Sequence, residues 1–334
     1  MSNRTTRTAA RISDVAERAK VSPMTVSRVM NGAAGVKDST RETVLQAIAD
    51  LGYAPNAAAR SLARSGAGRL GLLYSNPSAG YLSKFLLGAL EGAHQVGSQL
   101  MIEKCDTDPD SERAAIRRLA QAGVGGVVVP PPHGESDAAL AEIVAQGLNA
   151  VIVAGRAPTV TAGVRIDDRA AAAEMTRHLL ALGHRRIGFI CGADNQSASA
   201  ERLAGFQAEL AGSGAESLVE VGDFTYRAGF EATERLLSAA APPTAIFASN
   251  DEMAVAAIAA AHRRGLDVPR QLTIVGFDDT PMATTVWPAL TTIRQPIAEM
   301  AEATIRMLVQ PGATEQLCDH ALIVRESSGP APVA

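Results

Sequence analysis

The sequence predicts an α/β protein in which a small all-helical head precedes a larger, two-lobed body with parallel, doubly wound sheets. Three observations support this fold class. The chain has 334 residues, 47% of them hydrophobic, which is enough for about two sizeable domains. Residues 1–65 contain ten Lys and Arg against five Asp and Glu, a net charge of +5, so the total of −4 leaves −9 for residues 66–334. From residue 70 onward, Val/Ile/Leu runs alternate with longer amphipathic stretches, as in parallel sheets covered by helices on both faces.

Three short helices are predicted for the head, residues 1–54. Val15, Ala16 and Ala19 share one face of a helix over residues 13–20. Ser22 suits an N-cap and Pro23 suits the first position of a second helix, which the Asn-Gly pair at 31–32 ends. Apolar residues at three- and four-residue spacing predict a third helix over residues 38–51.

Residues 55–68 are predicted to form a hinge helix and a linker. Asn56 can cap a short helix over residues 57–64. The Gly-containing stretch that follows, residues 65–68, fits neither a helix nor a strand and predicts the boundary between head and body.

The body, residues 69–327, is predicted to contain seven strands and eight helices. The strands are expected at residues 70–74, 99–103, 126–129, 150–153, 186–191, 245–248 and 272–277. The helices are expected near residues 82–97, 109–122, 137–146, 169–182, 200–211, 226–239, 251–264 and 297–309. Ligands of parallel sheets bind beyond the carboxyl ends of the strands, so a cleft between two lobes is the expected site. The Pro- and Ala-rich tail, residues 328–334, is expected to be disordered.

The first two helices of the head have the arrangement of a helix-turn-helix, whose second helix reads base edges in the major groove. Arg28 can donate to guanine O6 and N7, and Met24 can contact a thymine methyl group or pack in the core. Short polar side chains suited to phosphate contacts surround them, namely Ser22, Thr25, Ser27 and Asn31. The basic head is therefore predicted to bind DNA.

Two motifs of the head and hinge occur together and in order. The first runs Asp14-Val15-Ala16-x-x-Ala19-x-Val21-Ser22-x-x-Thr25-Val26-Ser27-Arg28-Val29-x-Asn31-Gly32, and it resembles the DNA-binding signature of the LacI/GalR family of bacterial repressors. The second, similar to the hinge of that family, runs Leu51-Gly52-Tyr53-x-Pro55-Asn56-x-x-Ala59-Arg60-Ser61-Leu62.

The resemblance implies how the hinge meets DNA. Asn56 would begin the hinge helix, and Leu62 would be the apolar wedge that enters the minor groove and kinks the duplex. The resemblance also implies DNA contacts for Pro23, Tyr53 and Ala59.

The resemblance continues through the body. The matching motifs are Gly183-His184-Arg185-Arg186-Ile187-Gly188-Phe189-Ile190, Arg202-Leu203-x-Gly205-Phe206, Ala248-x-Asn250-Asp251-x-Met253-Ala254, Val275-Gly276-Phe277-Asp278-Asp279 and Trp287-Pro288-x-Leu290-Thr291-Thr292-Ile293-Arg294-Gln295-Pro296. They imply a body like a periplasmic sugar-binding protein that serves as a sensor of a small-molecule effector.

Six residues are candidates for effector binding: Asn76, Tyr81, Arg202, Phe224, Asn250 and Asp278. Sugars need planar groups that pair with adjacent hydroxyls and an apolar surface for the ring C–H groups. Arg202, Asn250 and Asp278 have the first property, and the family pattern places them in the cleft. Phe224 matches the position of a ring-stacking aromatic residue, and the two candidates after the first strand are expected to line the other lobe.

The first lobe departs from the family pattern at Ala154-Gly155-Arg156. Many relatives carry an acid before the basic residue of this motif. The resemblance therefore does not identify the sugar that the first lobe would recognise.

Two alternative functions remain open. A dinucleotide-binding enzyme would need Gly-x-Gly-x-x-Gly between a strand and a helix, whereas the nearest match, at residues 123–126, precedes a strand and has the wrong spacing. A purine co-repressor in the same architecture would favour stacked aromatic residues, but the chain has only seven Phe, four Tyr and one Trp. A sugar effector is therefore favoured, and no enzymatic activity, cofactor or metal is expected.

The predicted protein is a cytoplasmic homodimer that binds double-stranded operator DNA and a small sugar. Its three Cys have neither disulfide-framework nor zinc-site spacing, which is typical of a reducing compartment. No run of about 18 apolar residues and no secretory signal is present, so no membrane association is expected. The tetramers of the family use a C-terminal leucine heptad, which this tail lacks.

Overall fold

The structure is a computed structural model that describes residues 12–22, 25, 26, 29, 37–51, 68–75, 78–155, 162–310 and 315–332. The chain divides into two compact units, Met1–Ser65 and Gly66–Ala334. None of the described helices combines the length and the apolar character needed to span a bilayer.

The described part of the head contains helices α1 (Ile12–Ala19) and α2 (Asp38–Leu51), close to the predicted bounds. Ser22 Oγ accepts a hydrogen bond from Thr25 N at 3.2 Å, as expected of the predicted N-cap. Small apolar side chains form the core of the unit, namely Val15, Ala16, Ala19, Val26, Val29, Val44 and Ala47.

Lobe one of the body begins with alternating strands and helices. These are β1 (Arg69–Tyr74), α3 (Ala79–Gln95), β2 (Gln99–Lys104), α4 (Pro109–Gln121), β3 (Gly126–Val129), a 3₁₀ turn (His133–Glu135), α5 (Asp137–Ala145), β4 (Asn149–Val153) and β5 (Ala162–Ile166). Continuous apolar strands such as Gly-Val-Val-Val in β3 are buried because helices cover both faces of the sheet.

Lobe two repeats the pattern. It contains α6 (Asp168–Ala181), β6 (Arg186–Ile190), α7 (Ser197–Leu210), β7 (Glu216–Glu220), α8 (Tyr226–Leu237), β8 (Ala245–Ala248), α9 (Asp251–Arg263), β9 (Thr273–Asp278), α10 (Met282–Thr285) and β10 (Thr291–Arg294). The chain then returns to lobe one through α11 (Ile297–Val309) and β11 (Glu315–Cys318), and ends in lobe two with β12 (Ala321–Ile323).

Each lobe is built on one six-stranded sheet. The strand order is β11-β5-β4-β3-β1-β2 in lobe one and β12-β10-β9-β8-β6-β7 in lobe two. All neighbouring strands are parallel except β12, which runs antiparallel to β10. The chain crosses between the lobes three times, after β5, β10 and β11, so the two sheets flank a cleft. This is the predicted two-lobed architecture.

Helix α11 packs against α3 within lobe one. The approach is close enough that a Cβ on Gly88 of α3 would lie 2.3 Å from the Ala298 carbonyl oxygen. Glycine is therefore required at this crossing, because any side chain would push the two backbones apart.

The seven predicted strands are all present, but five further strands were missed. Two of the missed strands, β7 and β11, are edge strands that carry Glu, Ser or Gln at exposed positions, and a third edge strand, β12, has only three residues. A strand that is solvated along one side lacks the continuous apolar run on which the prediction depended.

The expectation of a disordered tail at residues 328–334 is wrong for residues 328–332, which lie against lobe two. Gly329 N donates to Thr273 Oγ1 at 3.0 Å, and Ala331 N donates to the Leu182 carbonyl oxygen at 2.9 Å. Proline reduces the number of backbone donors, but the amides of Gly329 and Ala331 are paired with the body, which fixes the segment. Residues 333–334 lie outside the described residues.

Ser327 anchors this terminal segment and predicts a measurable loss of stability. Its buried Oγ accepts from Thr291 N at 2.9 Å and donates to the Ile274 carbonyl oxygen at 2.6 Å. Ser327→Ala leaves both groups unpaired and should lower the free energy of unfolding by about 2 kcal/mol, measured by urea denaturation. Ser217→Ala, at an exposed position of β7, is the control and should cost less than about 0.5 kcal/mol. Equal losses in the two variants would contradict the anchoring role.

Candidate functional site

A cleft with about 400 Å³ of empty space, part of it open to solvent, lies between the lobes at the carboxyl ends of strands from both sheets. Its wall contains five of the six residues that the sequence singled out for effector binding: Tyr81, Arg202, Phe224, Asn250 and Asp278. The sixth, Asn76, lies outside the described residues. The structure thus brings together side chains that are up to 197 positions apart in the sequence.

Arg202 is a charged residue of the cavity wall that is only 4% exposed. Its Nε donates to Asp168 Oδ1 at 2.8 Å, and its Nη1 donates to the Ser249 carbonyl oxygen at 2.5 Å. The guanidinium carbon lies 3.6 Å from the centre of the Phe277 ring, so the planar group stacks on an aromatic face. Because a guanidinium has five N–H donors, donors remain for a ligand.

Asp278 is the last residue of β9 and has a left-handed backbone, φ 112°. Gln295 Nε2 donates to its Oδ1 at 2.6 Å, and the same oxygen lies 3.9 Å from Arg202 Nη1. Burial raises the pKa of the Asp278 carboxyl, while Arg202 acts in the opposite direction. A carboxyl of this kind takes up a proton more readily than an exposed one, so it can both donate and accept hydrogen bonds.

Asp251 lies beneath the cavity wall and is fully buried. It accepts hydrogen bonds from Thr280 N at 2.6 Å and from Thr292 Oγ1 at 2.6 Å. Burial raises the pKa of Asp251, and these hydrogen bonds oppose that shift because they favour the ionised form. The carboxyl thereby ties the loop after β9 to β10 behind Asp278.

Asn250 has a structural role in addition to its place in the cavity wall. Its Oδ1 accepts from Met253 N at 2.9 Å and caps α9, and its Nδ2 donates to the Phe224 carbonyl oxygen at 2.9 Å. Phe224 itself has a left-handed backbone, φ 70°. The ring occupies the space over Gly192, where a Cβ would lie 2.0 Å from Phe224 Cζ. Glycine at 192 therefore makes room for the aromatic wall.

Tyr81 contributes an unpaired polar atom to the lobe-one side of the cavity. The residue is 7% exposed, and its hydroxyl has no hydrogen-bond partner among the described residues. Burial raises the pKa of the Tyr81 phenol above its usual value, so the group is a protonated donor. A buried hydroxyl without a partner costs free energy, which a bound ligand with a polar atom would recover.

The cavity wall also contains five residues that were not predicted from the sequence: Ser78, Pro131, Ala154, Gln196 and Ala198. Ser78 and Gln196 stand just before α3 and α7, after the ends of β1 and β6. The rule that ligands meet the carboxyl ends of parallel strands would have identified these two polar residues. The apolar three carry no such signal.

The lobes also touch each other beside the cavity. Lys84 Nζ donates to the Asp279 carbonyl oxygen at 2.6 Å. Glu252 at the start of α9 accepts hydrogen bonds from Ser78 and from the Ala79 backbone at the start of α3. These contacts hold the first turn of α3 against lobe two.

The structure describes few of the residues predicted to bind DNA. Ser22 and Thr25 lie in the head, with Ser22 Oγ 3.0 Å from Thr25 Oγ1. The other predicted contacts lie outside the described residues, namely Pro23, Met24, Ser27, Arg28, Asn31, Tyr53, Asn56, Ala59 and Leu62. In the described part of the chain, no group of three or more His, Cys, Asp or Glu side chains could hold a metal ion.

Both units of the chain match known protein families. Residues 11–56 match the family described as "Bacterial regulatory proteins, lacI family", and residues 176–328 match the family described as "Periplasmic binding protein-like domain". The chain is 35% identical to the HTH-type transcriptional repressor PurR of Klebsiella pneumoniae (strain 342), over 90% of this chain and 89% of the relative.

Two solved structures are similar over nearly the whole chain. One is a transcriptional regulator CelR–cellobiose complex, with a TM-score of 0.72 and 30% identity over 95% of this chain and 99% of that chain. The other is a lac repressor dimer bound to operator and the anti-inducer ONPF, with a TM-score of 0.78 and 28% identity over 96% of this chain and 100% of that chain. The chain belongs to the LacI family and is a ligand-regulated, DNA-binding transcription regulator.

Proposed function

We propose that this regulator is a cytoplasmic homodimeric repressor without enzymatic activity, and that a small uncharged sugar bound between the lobes controls its affinity for operator DNA. The observation that carries the proposal is the cavity itself. It combines a stacked guanidinium (Arg202), a carboxyl (Asp278), an unpaired phenol (Tyr81) and an aromatic wall (Phe224). Planar paired groups and an apolar face suit a polyhydroxylated ring.

The charges around the cavity favour an uncharged ligand. Arg202 is the cation of the described wall, and it faces both Asp168 and Asp278. The guanidinium is therefore already paired with the Asp168 carboxyl at 2.8 Å, and a phosphate group placed there would lose its hydration without a free cation to compensate. A neutral sugar can use the remaining donors and acceptors without that cost. The CelR complex, whose ligand is cellobiose, supports a sugar of this class.

Operator binding is proposed for the head and hinge. In a dimer, each head would place the predicted helix that begins at Pro23 in a major groove, and the two grooves would be successive. The hinge residues Asn56 and Leu62 would meet the minor groove. The similarity to a lac repressor dimer on operator supports this arrangement. Because binding at the two sites is linked, an effector that weakens operator binding is itself bound more weakly on DNA.

A thermal-shift panel on the full chain tests the ligand class. The panel contains neutral sugars (ribose, glucose, galactose and cellobiose), a sugar phosphate (glucose 6-phosphate) and purines (adenine and guanine). A neutral sugar at a hundredfold excess over its Kd should raise Tm by about 5 °C, and the sugar phosphate should not. Stabilisation by the purines alone would contradict the sugar proposal and favour the purine alternative.

Tyr81→Phe separates ligand binding from folding. The substitution removes the unpaired buried hydroxyl, so the Tm of the ligand-free protein should stay the same or rise. The affinity for the stabilising sugar should fall about tenfold, because one hydrogen bond to the ligand is lost. Isothermal titration calorimetry measures the affinity. Tyr226→Phe, at an exposed tyrosine of α8, is the matched control, and an equal loss in both variants would remove Tyr81 from the site.

Leu62→Ala tests the hinge on DNA. Operator sequences are first selected from a randomised duplex library with the full-length protein. The variant should bind the selected duplex about 100-fold more weakly in a gel-shift assay, because the wedge that holds the kinked duplex is gone. Leu45→Ala, at an exposed leucine of α2, is the control in the same unit. Unchanged affinity of the Leu62 variant would contradict the wedge.

A further inference from the structure

Helix α7 differs from most helices of the body in how it begins. Six helices start with an N-cap side chain that accepts a hydrogen bond from their own first turn, namely Ser78, Asp108, Ser136, Asp167, Thr225 and Asn250. The N-cap residue of α7 is Gln196, whose side chain makes no such bond. The free N–H groups of this helix start therefore need a partner from elsewhere.

The partner comes from the other lobe. Ser197 N donates to Glu135 Oε2 at 2.8 Å, and Ser197 Oγ donates to Glu135 Oε1 at 2.6 Å. Glu135 belongs to the 3₁₀ turn of lobe one, whereas Ser197 is the first residue of α7 in lobe two. Both residues are half-buried. A carboxylate at a helix start is stabilising, because it pairs with the free N–H groups and faces the positive end of the helix dipole.

Gly155 leaves open the space that the Glu135 carboxylate occupies. A Cβ at position 155 would lie 2.8 Å from Glu135 Oε1 and 3.3 Å from Glu135 Cγ. The backbone of Gly155 is not in the left-handed region, so its conformation alone does not require glycine. A side chain at 155 would therefore require the Glu135 carboxylate to shift from this position.

A buried network fixes the turn that carries Glu135. His133 is fully buried, with Nδ1 2.7 Å from Glu112 Oε1 and Nε2 3.2 Å from Cys105 Sγ. Ser136 Oγ donates to the other oxygen of Glu112. The residues on both sides of Glu135 are thus tied to one carboxyl of α4, and the turn is rigid within lobe one.

The same helix start leads directly to the cavity. Gln196 and Ala198, on either side of Ser197, line its wall, and Arg202 lies little more than one helical turn further along α7. A contact that holds Ser197 against lobe one therefore also sets the distance between the lobe-two wall of the cavity and lobe one.

We propose that Glu135 is an interlobe clamp: seated in the space that Gly155 leaves open, it caps α7 across the cleft and holds the proposed effector site closed. Glu135 is a positioning residue, because it acts through α7 and does not line the cavity. The inference rests on the proposed effector function only for its consequence for binding. The clamp itself can be measured without a ligand.

Hydrogen exchange at the Ser197 amide measures the clamp in the full-length, ligand-free protein. Mass spectrometry with fragmentation resolves this amide, which Glu135 protects only when the lobes are together. Glu135→Ala should accelerate its exchange about tenfold, because a charge-assisted hydrogen bond is lost. Glu103→Gln is the control, since Glu103 pairs with Arg118 inside lobe one, and it should leave the rate unchanged.

A second substitution distinguishes a clamp from a general loss of stability. Gly155→Asp alone should also accelerate exchange, because two carboxylates crowded into one place repel each other and neither keeps its position at the Ser197 amide. In the double variant Glu135→Ala with Gly155→Asp, the new carboxylate reaches the vacated place, and protection at Ser197 should return. Two harmful changes that compensate each other are not expected from a purely structural role. If the double variant exchanges as fast as Glu135→Ala, the clamp is refuted.

A conservative variant and an affinity measurement with a ligand complete the experiment. Glu135→Gln keeps one oxygen acceptor and should give an intermediate rate, which carries the test if Glu135→Ala does not fold. Exchange at Ser197 equal to that of the Glu103 control in a folded Glu135 variant would also refute the clamp. The affinity of Glu135→Ala for the sugar that most stabilises the wild type should fall about tenfold. If no panel compound binds the wild type, the effector proposal fails, while the exchange rates still decide the clamp.

Discussion

The arrangement of the cleft depends on one buried cation. Arg202 is withdrawn from water, so its charge must be balanced by neighbours, and Asp168 of α6, Asp278 at the end of β9 and the carbonyl after β8 provide the partners. Its plane is fixed by the Phe277 ring. The guanidinium thus connects its own helix, α7, to α6, to β9 and to the end of β8. Removing Arg202 would leave two buried carboxyls uncompensated, so the same group serves both the stability of the lobe and the chemistry of the cavity.

Strained backbone is concentrated around this cavity. Ala154, Phe224 and Asp278, all in the wall, have positive φ values of 54°, 70° and 112°. Residues other than glycine adopt such conformations at a cost in free energy, which the surrounding contacts must offset. At Phe224, a hydrogen bond from Asn250 to the backbone carbonyl offsets this cost. At Asp278, a hydrogen bond from Gln295 to the carboxyl does the same. The cavity walls are therefore set by tertiary contacts, which local sequence preferences do not reveal.

This difference explains how far the sequence could predict the molecule. Buried strands such as β3 and β8 have continuous apolar runs and were located to the residue, whereas the polar edge strands β7 and β11 were missed. Arg202 and Asp278 could be assigned to the cleft because they stand in motifs that resemble the family pattern. Glu135 could not, since its role depends on the absence of a side chain at Gly155 and on a helix start 62 residues away. Gly155 departs from the family pattern, and its lack of a side chain leaves the space in which the Glu135 carboxylate lies.

The contacts between the lobes limit what an effector can do. A ligand shifts a conformational equilibrium only by the difference in its affinity for the two states. Here the protein already supplies bonds across the cleft, from Lys84 to the Asp279 carbonyl oxygen and from Ser197 to Glu135, and these operate whether or not the cavity is filled. An effector bound in the cavity would add what the protein does not supply, namely a hydrogen-bond partner for the buried Tyr81 hydroxyl. The contact between the lobes is thus held partly by the protein itself, so an effector has only the remaining free energy to provide.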